Sequence, residues 1–73
     1  MVLTLDKVPV GVKVKVVSVL GGYGIVNRLM QMGLTPGTIV EVVNNMGPII
    51  VRVRGVTIAL GRGMARKVIV ERT

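Results

Sequence analysis

The sequence predicts a mainly β protein, a small antiparallel barrel of about five strands with one or two short helices. Three observations carry this. Val and Ile recur with a period of two in several short runs, the spacing that turns one face of a strand inward. Glycines and prolines interrupt the chain at close intervals, leaving no room for the dozen-residue crossovers that parallel strands need. Hydrophobic residues make up 51% of the chain, yet Tyr23 is its one aromatic, so the core must be close-packed Val, Ile, Leu and Met.

The first firm strand is Val12 to Val16, whose valines alternate with Lys13 and Lys15. Beyond Val16 the phase breaks at Val17, Val19 and Leu20, which predicts a bulge or a bend that curves the strand. Gly21, Gly22 and Gly24 around Tyr23 make a turn. The period then changes: Ile25, Leu29 and Met32 form one apolar stripe of a short helix, with Val26 and Met30 beside it and Asn27, Arg28 and Gln31 toward water.

The stretch MQMGLTPG ends that helix. Gly33 stands where a left-handed cap residue is needed, with Leu34 folding back as its hydrophobic contact, and Pro36-Gly37 fits a type II turn. Thr38 to Asn44 follows as a strand, and Asn45 to Pro48 turns. Ile49 to Arg54 is the next strand, and Arg54-Gly55 makes a tight hairpin into Val56 to Leu60. Gly61 to Gly63 breaks the pattern, Met64 to Lys67 is read as one helical or 3-10 turn, and Val68 to Val70 closes the series. The natural size for such a set is an SH3-like barrel, a single domain over residues 1–73 without repeats or linkers.

Ten Lys and Arg against Asp6, Glu41 and Glu71 give a formal charge of +7. The expected partner is acidic: a nucleic acid, an acidic protein face or an anionic membrane. Without His or Cys, and with three carboxylates far apart in sequence, the chain offers no catalytic constellation and no transition-metal set. No cofactor is expected. Zero cysteines and no export or membrane-spanning signal point to a cytoplasmic protein. Nucleic-acid modules that grip single strands need aromatic platforms, and Tyr23 alone does not make one.

The ordered set Leu29-x-x-Met32-Gly33-Leu34-x-Pro36-Gly37, Gly47-Pro48-Ile49, Gly55 with Ile58-Ala59-Leu60, and Ala65-x-x-Val68-Ile69-Val70 resembles the FeoA family of ferrous iron transport proteins. Leu5 and Gly11 extend the resemblance over nearly the whole chain. It implies an SH3-like barrel that acts as a cytosolic accessory to a FeoB-type membrane transporter bearing a GTP-binding domain. The same barrel ends metal-dependent repressors, but no helix-turn-helix precedes it here.

On this reading the chain is a non-catalytic interaction module. The expected contact surface is the helix and its flanks, Leu20, Tyr23, Ile25, Arg28, Leu29 and Met32, with Arg62 and Arg66 as a charged rim. The basic surface also suits an anionic inner leaflet, at ~1 kcal/mol per Lys or Arg near the lipid. The rival expectation is a basic nucleic-acid-binding barrel using Lys13, Lys15, Arg52 and Arg54. A third makes Arg62 an arginine finger toward a GTPase.

Overall fold

Val14, Val16, Val40, Val42, Val51, Val53, Val68 and Val70 are all buried, and their alternation with exposed neighbours builds the sheet. The computed structural model describes residues 2–73. In chain order it has β1 (Val2–Thr4), a 3-10 turn (Leu5–Lys7), β2 (Lys13–Val19), α1 (Tyr23–Gln31), β3 (Ile39–Asn44), β4 (Ile49–Val53), β5 (Val56–Leu60), α2 (Arg62–Ala65) and β6 (Val68–Arg72). The six strands form one antiparallel sheet in the order β1-β6-β2-β3-β4-β5. The mainly β class stands, with a sixth strand, β1, beyond the five read from the sequence.

One aliphatic core serves the whole chain, drawing on the strands, on Leu5 and Val8, on Leu29 and Leu34, and on Ala65. The phase break after Val16 is a bulge, since the β2·β6 register shifts between Val16 and Ser18. A second register shift lies between Val42 and Asn44 on β3. An extra residue bends its strand and increases the local twist, which lets the sheet wrap one core.

The end of α1 is a Schellman cap. Gly33, at φ 96°, donates to the Met30 carbonyl at 3.0 Å while Leu34 donates to Leu29 at 3.1 Å, and both leucines are wholly buried. That pairing of bonds satisfies carbonyls the helix would otherwise orphan. Thr38 N–H then bonds the Thr35 carbonyl at 3.1 Å, closing the turn around Pro36-Gly37, and Gly37 N–H donates to Val16 at 2.8 Å. The cap and turn are thus anchored to β2.

Arg54 and Gly55 both have positive φ, 52° and 81°, and join Val53 to Val56 as a type I′ hairpin. The helical turn read at Met64 to Lys67 lies two residues earlier in α2, because Gly61 rather than Gly63 stands at its N-cap: the Met64 and Ala65 amides both reach the Gly61 carbonyl. Among the described residues no helix is long and apolar enough to cross a membrane.

Candidate functional site

The start of α1 carries the most exposed apolar surface near a helix. Gly22 begins it without a side-chain cap, and Tyr23 in the first turn is 89% exposed, with Leu20 just before it at 52%. Arg28, five residues on and about 140° around the helix from Tyr23, is exposed. Ile25 and Met32 lie partly buried against the core, so each offers only an edge. Leu29 is wholly buried. It cannot belong to a contact surface: the apolar stripe that defines the helix is also what pins it, and its central member is consumed in packing.

Lys67 joins this surface, and sequence reasoning missed it. Its carbonyl accepts from Leu20 N–H at 2.7 Å, and its side chain lies beside Gly21, where a Cβ would sit 3.4 Å from Lys67 Cδ and 3.3 Å from Ile25 Cγ2. Gly21 thus lets the lysine stem cross close to the α1 entry. The signal was present only as a glycine before a helix, which does not say what approaches it.

Arg62 and Arg66 are held elsewhere. The Arg62 guanidinium donates through both terminal nitrogens to Asn45 Oδ1 at 3.0 Å, and through Nη1 to the Gly47 carbonyl at 2.9 Å. Asn45 Nδ2 in turn donates to the Val8 carbonyl at 2.7 Å. Arg66 Nε lies 3.5 Å from Asp6 Oδ2, whose other oxygen accepts from Thr4 Oγ1. These arginines brace the β3–β4 turn and the 3-10 turn. Arg62, with its fork occupied, is not presented as a free finger.

The basic stripes on the strands are not a continuous positive track. Lys13, Glu41 and Arg52 stand in one cross-strand row, with Arg52 Nη1 3.3 Å from Glu41 Oε1, and Lys15 stands opposite Glu71. Interleaved carboxylates repel a phosphate backbone, whose binding needs net neutralisation. Arg54 alone of that set lies beyond the rows, at the hairpin tip. The three carboxylates are dispersed over the 3-10 turn, β3 and β6, and among the described residues no three His, Cys, Asp or Glu group as a metal site would.

Comparison with known proteins bears on the family and the fold. The FeoA domain family matches residues 3–72. A Methanocaldococcus jannaschii protein provisionally named Fe(2+) transport protein A is 40% identical over 62 residues, 84% of this chain and 76% of that one. A crystal structure of an iron uptake regulatory protein, FeoA, superposes with a TM-score of 0.94 at 44% identity, covering 100% of this chain and 99% of that one. Stenotrophomonas maltophilia FeoA, complexed with zinc and described as a prokaryotic SH3 domain protein, superposes at 0.85 with 29% identity over 94% of this chain and 89% of that one.

Proposed function

Because this chain belongs to the FeoA family, we propose that it is a non-catalytic accessory factor of ferrous iron transport, docking on the cytosolic part of a FeoB-type transporter. The observation that carries the site is the entry to α1, where Tyr23 stands 89% exposed just after Leu20, with the Lys67 stem by Gly21 and Arg28 exposed further along the helix. Tyr and Arg are the residues most often found at binding hot spots.

The chemistry of such a module is contact. With no His or Cys, it has little to hold Fe²⁺ with, and it acts by binding a protein that carries the ion. A formal charge of +7 selects an acidic face on that protein and favours a position beside an anionic inner leaflet.

Isothermal titration against the transporter's isolated cytosolic domain tests this. Wild type binds, and Tyr23→Ala and Arg28→Glu each weaken binding roughly tenfold without changing the thermal unfolding midpoint, since both side chains are exposed. Absence of wild-type binding refutes the partner. Unchanged affinity in both variants refutes the surface.

A further inference from the structure

Among the described residues β5 is a terminal strand of the sheet, with β4 on one side and no strand on the other. The two-residue hairpin makes Val53 and Val56 a hydrogen-bonded pair, so the alternation of an antiparallel ladder points the N–H and C=O groups of Thr57 and Ala59 away from β4. Among the described residues nothing outside the ladder bonds them, and both residues are exposed. The other terminal strand, β1, has three residues and leads directly into the 3-10 turn. β5 has five and carries no charge and no proline, the devices by which edges are usually blunted.

On the inner face of this edge Leu60 is buried and Ile58 packs partly buried against the core, and only the hairpin end is open. Val56 lies opposite Val53 in the ladder, and Val53 is 3% exposed while Val56 is 61% exposed. An added strand would set its own side chains beside Val56 on that face. Arg52 and Arg66 are each paired with a carboxylate, whereas Arg54 makes no ion pair among the described residues. Arg54 precedes the strand at the hairpin and Arg62 follows it at the start of α2.

We propose that the open edge of β5 binds an extended, carboxylate-bearing segment of a partner protein, which adds as a further strand beside Thr57 and Ala59. Main-chain bonds supply the affinity, and an acidic side chain pairs with Arg54 at the hairpin end, while the charge of Arg62, whose fork is held by Asn45 and Gly47, adds only at longer range. A second copy of this chain is disfavoured as the occupant. Antiparallel self-pairing centred on Ile58 sets Arg54 of one copy opposite Arg62 of the other at both ends. This edge is distinct from the α1 surface, and either can fail alone.

The probe is an acetylated hexapeptide of alternating glutamate and valine, with a lysine-valine peptide as control, added to ¹⁵N-labelled protein. At ~90% occupancy the Thr57 and Ala59 amides should exchange about tenfold more slowly, with added salt weakening the effect, and the lysine peptide should leave them unchanged. Arg54→Glu, on the exposed hairpin tip, should lower the acidic peptide's affinity at least about threefold. Protection elsewhere but not at these amides, or equal protection by both peptides, overturns the proposal. So does sedimentation showing a dimer whose Thr57 and Ala59 amides are already protected without peptide.

Discussion

Replacing Asn45 by Ala removes the side chain that links three separate segments. Its Nδ2 bonds the Val8 carbonyl at 2.7 Å and its Oδ1 receives the Arg62 fork at 3.0 Å, while the 3.4 Å approach to the Asp6 carbonyl is long enough to contribute little. A neutral hydrogen bond is worth about 1 kcal/mol net, and the partly solvated Arg62 fork is assigned a similar value, so the loss comes to about 2 kcal/mol. Urea unfolding followed by far-UV circular dichroism reads this directly: with an m-value of ~1 kcal/mol/M for a domain this small, the midpoint should fall by roughly 2 M at unchanged slope. Asn45→Asp separates the two halves, since it keeps an acceptor for Arg62 but sets an oxygen against the Val8 carbonyl. It should also destabilise the protein. An Asn45→Ala variant within about 0.5 kcal/mol of wild type, or an Asp variant as stable as wild type, would refute the clamp.

Leu34→Ala, at a wholly buried side chain, should cost about 3 to 5 kcal/mol by calorimetry or urea titration, through lost transfer energy and the cavity left against Leu29. Gly33→Ala should cost about 1 to 2 kcal/mol for the left-handed backbone alone, and more if Val53 Cγ1, 3.2 Å from the new Cβ, cannot yield. Arg54→Asn should raise stability by about 0.5 kcal/mol, because Asn tolerates the positive φ that Arg adopts at the first hairpin position, and an unchanged or lowered melting temperature would contradict that reading.

What was legible in the sequence was local. The bulge after Val16, the cap at Gly33 and Leu34, the turn at Pro36-Gly37 and the hairpin at Arg54-Gly55 each depend on a few adjacent residues whose φ preferences or hydrophobic phase are fixed by covalent chemistry. β1 escaped notice because three residues carry no measurable period, and Val2 to Thr4 become a strand only by pairing with Ile69 to Glu71. Of the proposed contact surface, only the exposure of some residues was legible, for the same reason. Tyr23 and Leu20 stand out as apolar residues in a glycine-rich turn, whereas Arg62 and Arg66 read as free charges until Asn45 and Asp6 are brought to them by the fold.

The position of β6 between β1 and β2 bears on how the chain reaches its native state. β2 to β5 each pair with a neighbour in sequence, whereas the β1 side of the sheet waits for residues 68–72, which must enter a gap flanked by the two earliest strands. Contacts of such long sequence separation slow folding, since loop entropy is spent before they form. On a ribosome, β1 therefore emerges with no strand to pair with, and stays a solvent-exposed apolar segment until β6 is out of the exit tunnel.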